Sequence, residues 1–85
     1  MRNLVFTPEA WDDYQFWVNQ DRKTFKKINK LIADTQRNAF DGIGKPEPLK
    51  ENYAGFWSRR IDEKNRLVYN VTDNEVQIIG CRFHY

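Results

Sequence analysis

Apolar and polar positions alternate with two different periods along this chain, and the change of period divides it. Leu4-Val5-Phe6 is a short apolar run that predicts a first strand. Thr7-Pro8 then marks a helix start, with Thr as N-cap and Pro at the first helical position, where its missing N–H costs nothing. Ala10, Trp11, Tyr14, Trp17 and Val18 recur at helical spacing, and Glu9, Asp12 and Asp13 fall in the early turns, favourably for the helix dipole. Asn19-Gln20-Asp21 breaks the pattern. Asp21 can cap a second helix, whose apolar stripe is Phe25, Ile28, Leu31, Ile32 and Thr35, so the pair predicts an αα-hairpin.

From residue 38 to residue 52 the periodicity is lost. Asn38 to Lys50 holds two glycines and two prolines and reads as a loop, long for so small a domain. Three strand candidates follow, Gly55 to Ile61, Asn65 to Val71 and Glu75 to Tyr85, with hairpin-like joints at Asp62-Glu63-Lys64 and Thr72-Asp73-Asn74. The order β-α-α-β-β-β predicts an α+β domain: a mainly antiparallel four-stranded sheet, two helices on one face, the other face open. A two-residue turn would separate Arg66 from His84, whereas a three-residue loop at Thr72–Asn74, which groups the apolar residues better, would set Val71 opposite Glu75. Leu67, Tyr69, Val71, Ile79, Cys81 and Phe83 would then face the helices, and Arg66, Val68, Ile78, Arg82 and His84 the open side.

Composition narrows the class. Eighty-five residues make one domain, residues 1–85, with a modest core in which three Trp, four Tyr and six Phe offset an apolar share of 40%. One Cys forms no internal disulfide, and with one His it makes no closed zinc site; Cys81 reads as a small core residue. No apolar run reaches membrane-spanning length, and Met1 to Phe6 is too short for a secretory signal, so a cytoplasmic, metal-free and cofactor-free protein is expected.

The net charge of +2 says less than its distribution. Between Arg22 and Arg37, six basic side chains face one acid, Asp34, and a second basic group comprises Arg59, Arg60, Lys64, Arg66 and Arg82. Such segregation suits a polyanion, although the Lys-rich helix also reads as a solvated face.

Candidate chemistry gathers in the C-terminal half. Glu47 sits between Pro46 and Pro48, which reads either as a stiff tether for a general base or as a polyproline-like linker with a solvated carboxylate. Arg59 and Arg60 occupy one strand and point to opposite faces, so only one can share a face with Arg66. Each reads either as a phosphate contact or as a charge that keeps a strand edge from aggregating. Arg66 opens an otherwise apolar strand. His84, the only histidine, could donate or accept a proton near neutral pH, or be a histidine near the chain end with no task.

Several segments together resemble one family. They are Trp11-Asp12-Asp13-Tyr14, Lys26-Lys27-Ile28-Asn29, Gly42-Ile43-Gly44-Lys45-Pro46-Glu47-Pro48-Leu49-Lys50, Gly55-Phe56-Trp57-Ser58-Arg59-Arg60-Ile61, Arg66-Leu67-Val68-Tyr69 and Cys81-Arg82-Phe83-His84-Tyr85. In this order, over nearly the whole chain, they are similar to the YoeB/Txe toxins, a branch of the RelE-like bacterial toxins. The resemblance implies the RelE-like fold and a ribosome-dependent mRNA endonuclease. It implies Glu47, Arg66, His84 and Tyr85 as catalytic residues, with Lys50 and Arg60 in supporting phosphate or RNA contacts. It also implies a cognate antitoxin of the YefM/Axe kind, homodimers, and an operon repressed through operator DNA bound by the toxin–antitoxin complex. Arg59 is a further candidate RNA contact, and Lys23, Lys27 and Lys30 fit contact with rRNA. Two other readings stand beside the nuclease: a basic RNA- or protein-binding module without catalysis, and a decayed toxin that only binds its antitoxin.

Overall fold

The computed structural model describes residues 1–83. Its elements are β1 (Asn3–Phe6), α1 (Pro8–Gln20), α2 (Arg22–Arg37), β2 (Glu47–Pro48), β3 (Trp57–Arg60), β4 (Arg66–Val71) and β5 (Glu75–Gly80), with a 3₁₀ turn at Glu51–Tyr53. The α+β class and the two helices agree with the sequence reading.

The caps are those the sequence encodes. Thr7 Oγ1 accepts from the Ala10 N–H at 3.1 Å, and Asp21 Oδ1 accepts from the Lys23 and Thr24 N–H groups. Helix α2 buries Ile28, Leu31, Ile32 and Thr35, its predicted stripe. In α1 only Ala10 and Trp17 are fully inside. Trp11 is 47% exposed and stacks on Tyr14, so it belongs to a surface aromatic group with Phe6 rather than to the core.

Among the described residues the sheet has five strands, not four, in the order β1-β5-β4-β3-β2. The strand missed in the sequence is Glu47–Pro48, which pairs antiparallel with Trp57 and Ser58. Two residues flanked by prolines carry no periodic signal, and Pro at a sheet edge sacrifices no ladder bond. The other pairs are antiparallel except β1, which lies parallel to β5.

The β4–β5 register also differs from expectation. Val71 opposes Val76 rather than Glu75, because the turn spans Thr72 to Glu75, closed by the Thr72 N–H to the Glu75 carbonyl at 2.9 Å. Val76 and Ile78 therefore join Leu67 and Tyr69 in the core under the helices. Ile78 was expected on the open face. A bulge then interrupts the ladder: Tyr69 opposes Ile78, but Val68 opposes Gly80, so Ile79 is the extra residue. The bulge resets the alternation, which returns Cys81 to the core at 0% exposure. Strand β5 ends at Gly80 instead of running to Tyr85, and Phe83 is 63% exposed rather than facing the helices.

Candidate active site on the open sheet face

Strand alternation decides which arginine reaches the open face. Glu47 opposes Ser58 and Ser58 opposes Val68, while Arg60 opposes Arg66. Residues two apart on a strand share a face, so Glu47, Ser58, Arg60, Arg66 and Val68 all lie on the side away from the helices. Arg66 Nη1 donates to Glu47 Oε1 at 3.1 Å. The same nitrogen lies 3.5 Å from Ser58 Oγ, which is fully buried beneath the pair. Glu47 keeps 57% of its side chain exposed and Arg66 24%, so the carboxylate and the guanidinium stay open to a ligand. Arg60 is exposed directly opposite Arg66, and Lys50 is exposed just beyond β2.

Arg59 is not part of this face. It was a candidate RNA contact, but its side chain is fully buried on the helix side. All five of its N–H donors are used. Nε donates to the Tyr69 hydroxyl, Nη1 to Asp34 Oδ2 at 2.6 Å and to the Ile43 carbonyl, and Nη2 to the Asn38 and Asp41 carbonyls. The Tyr69 hydroxyl in turn donates to the Ala39 carbonyl at 2.8 Å. Arg59 thus ties three carbonyls of a surface loop to the core. Its hydrogen bond, with a second from the Ile43 N–H, holds the Asp34 carboxyl below its ordinary pKa.

Two glycines let the loop close over this cation. A Cβ on Gly42 would stand 2.0 Å from Asp34 Oδ2, and one on Gly44 2.6 Å from Leu31 Cδ2. Both have positive φ, and the Gly44 carbonyl accepts from the Arg60 N–H at 2.7 Å. The loop is therefore fastened at each end of its course to β3, and Glu47 follows three residues later.

Lys23, Lys27 and Lys30 are exposed on α2 around a cavity of about 710 Å³ that Ile43 and Ile61 also line. They lie on the helix layer, and Glu47 and Arg66 on the opposite side of the sheet. The two groups cannot grip the same phosphate.

His84 and Tyr85 lie outside the described residues. The chain leading to them is anchored from two sides. Helix α1 holds Cys81: Asp13 Oδ2 accepts from its N–H at 3.1 Å, and Trp17 Nε1 donates to its carbonyl at 2.8 Å. Burial raises the Asp13 pKa against the Cys81 hydrogen bond and the Arg82 charge, which lower it. Burial and the Asp13 charge push the Cys81 thiol up to about 12, so it offers no nucleophile at neutral pH. The Arg82 guanidinium lies 3.6 Å from the centre of the Phe16 ring. From the other side, the Arg66 N–H donates to the Phe83 carbonyl at 2.8 Å and Asn65 Oδ1 accepts from the Phe83 N–H at 2.7 Å. Sequence reasoning missed Ser58 and Asn65, which carry no motif signal of their own.

Residues 6–85 match the family model of the YoeB-like toxin of bacterial type II toxin–antitoxin systems. The chain is 57% identical over 82 residues to toxin YoeB of Escherichia coli K12, covering 96% of this chain and 98% of that one. It is 52% identical over its full length to toxin YoeB of Mycobacterium bovis. Among solved structures, a YoeB/ParE toxin from Agrobacterium tumefaciens superposes with a TM-score of 0.94 at 49% identity, covering 98% of this chain and 99% of that one. A YoeB–YefM complex from Staphylococcus aureus contains a chain that superposes with a TM-score of 0.90 at 48% identity, covering 100% and 99%. Escherichia coli YafQ, at 16% identity and a TM-score of 0.79, shares the fold.

Proposed function

The chain belongs to the YoeB-like toxins of bacterial type II toxin–antitoxin systems, and on that premise we propose that it is an endoribonuclease that cuts translated mRNA in the ribosomal A site. The observation that carries the reading is the Glu47–Arg66 pair, 3.1 Å apart on an open sheet face, with Arg60 beside it. A base and a cation side by side are what transesterification of RNA needs.

RNA brings its own nucleophile, the 2′-hydroxyl, so the scheme requires no metal and no cofactor. Glu47 takes the 2′-hydroxyl proton as general base. The 2′-oxygen forms a bond to phosphorus while the bond to the 5′-oxygen breaks. Arg66, assisted by Arg60, stabilises the charge that builds on the phosphate oxygens. His84 gives a proton to the departing 5′-oxygen, and Tyr85 stacks on or orients the substrate base. The products are a 2′,3′-cyclic phosphate, or the 3′-phosphate formed on its opening, and a 5′-hydroxyl. Protein treated with EDTA and then freed of it should cut at the untreated rate on ribosomes kept intact in Mg²⁺.

Lys50, exposed just beyond β2, holds a neighbouring phosphate in this scheme. Lys23, Lys27 and Lys30 supply a basic surface for rRNA. A YefM/Axe-like antitoxin neutralises the toxin in the bacterial cytoplasm, and the complex represses its own operon, the toxin meeting operator DNA only through the antitoxin. The Staphylococcus aureus relatives support both the antitoxin partner and a homodimer. Released toxin stops translation and growth.

The test is in-vitro translation of a defined mRNA with purified protein, wild type beside His84→Gln, with 5′ ends mapped by primer extension. Cuts at the A site by wild type only are expected. Intact mRNA with folded wild type would replace the nuclease by a binding-only toxin.

A further inference from the structure

We infer that Asn65 is a positioning residue for the reaction: it holds the backbone of Phe83, the residue that precedes the proposed acid. The inference rests on the nuclease reading, because it assigns no chemistry to Asn65 itself.

Asn65 is 9% exposed and sits where the β3–β4 turn enters β4. Its carboxamide is oriented by its partners. Nδ2 donates to Asp62 Oδ1 at 3.1 Å and to Oδ2 at 3.2 Å, which leaves Oδ1 to accept from the Phe83 N–H at 2.7 Å. A flipped amide would set Oδ1 against the Asp62 carboxylate and Nδ2 against the Phe83 N–H, so only one orientation is favourable. The turn is itself rigid: Asp62 Oδ1 accepts from the Lys64 and Asn65 N–H groups, and the Asn65 carbonyl accepts from the Ile61 and Asp62 N–H groups.

The next residue completes the grip. The Arg66 N–H donates to the Phe83 carbonyl at 2.8 Å. Both backbone polar groups of Phe83 are therefore held by consecutive residues, 65 and 66, one peptide bond before His84. Phe83 has φ +63°, a left-handed conformation that an aromatic residue rarely adopts unaided. Its two hydrogen bonds hold it there. The Arg66 side chain meanwhile meets Glu47. One short stretch of β4 thus ties the chain that leads to the proposed acid to the side chain that meets the proposed base.

Cys81 makes a clean test accessible. A residue 1–80 thioester can be ligated to a synthetic peptide spanning 81–85, because the junction already carries cysteine. An ester in place of the Arg82–Phe83 amide removes the Phe83 N–H and leaves every side chain intact. Single-turnover cleavage on programmed ribosomes is then measured for four ligated chains: all-amide wild type, Asn65→Ala, the ester, and both together, with thermal melting beside each. Misplacing a reacting group by about 1 Å costs about 100-fold. Asn65→Ala and the ester should each slow the saturating rate about 10- to 100-fold, with the half-saturating ribosome concentration unchanged. The doubly altered chain should be no slower than either. A wild-type rate for either folded single variant, losses that multiply, or a change confined to ribosome affinity would overturn the inference while leaving the nuclease reading intact. Failure of the all-amide wild type to cut would remove both.

Discussion

Arg59 Nη1 lies 2.6 Å from Asp34 Oδ2, and through this pair the core fastens the loop that leads to Glu47. The arginine serves as a buried template: four of its five hydrogen bonds go to residues 34 to 43. Losing a hydrogen bond to a charged group costs about 1.5–3 kcal/mol, against a total of about 5–15 kcal/mol for a small domain. Arg59→Ala, which leaves Asp34 with 27% of its side chain exposed, is expected to lose about that much in urea unfolding. Arg59→Lys should recover little of it, because an ammonium has three donors and no planar fork. A Lys variant as stable as wild type would contradict this account.

Acid should act through the same pair. A folded carboxyl whose pKa is depressed contributes stability above the unfolded value, about 3.9, and that stability is lost as pH falls through the folded value. Asp34 is such a group. Asp13, whose pKa burial raises, has the opposite sign: its contribution is present at low pH and is lost as pH rises through the folded value. Asp34→Asn should therefore flatten the acid limb of a stability–pH curve and lower the plateau at neutral pH. An unchanged acid limb in denaturant titrations at successive pH values would remove Asp34 from it.

Glu47→Gln keeps an oxygen that can accept from Arg66, so its fold should persist. Loss of one acid–base group typically slows a reaction about 10²–10⁴-fold. Single-turnover cleavage should fall by about that range in Glu47→Gln and in His84→Gln, with melting temperatures close to wild type for the exposed Glu47 position. Near-wild-type cleavage by either variant would send the search for that proton carrier elsewhere.

Because the α2 lysines lie on the opposite layer from Glu47 and Arg66, they should affect docking and not chemistry. Replacing Lys23, Lys27 and Lys30 with Gln should weaken ribosome binding and flatten its dependence on salt. The saturating cleavage rate should stay the same. A slowed saturating rate with normal binding would place these lysines nearer the reaction than the layered fold allows.

Much of this was legible in the sequence because it follows from local rules. Thr7-Pro8 and Asp21 set the two helix starts, and period-3.6 spacing picked Ile28, Leu31 and Ile32 for the core. Strand alternation foretold that only one of Arg59 and Arg60 could join Arg66. Which one depended on pairing, and pairing is not local. The bulge at Ile79 and the four-residue turn at Thr72–Glu75 shift the faces of β5, and no composition cue announces them. Glu47 was singled out for its stiff tether, but its place in an edge strand comes from pairing with Ser58, a contact across a loop. Arg59 was misjudged because a buried arginine and a phosphate-binding arginine look alike until the carbonyls around them are known.

The parallel pairing of β1 with β5 joins the first strand of the chain to the last. A ribosome makes β1 first and β5 last, and β5 is the strand that β1 and β4 both need as a neighbour. Until Glu75–Gly80 leaves the exit tunnel, β1 has no partner and the helices have only part of the sheet to cover. Contacts between distant parts of a chain form late. Closure of the sheet thus waits on Glu75–Gly80, so a chain stalled before that strand holds β1 without its neighbour.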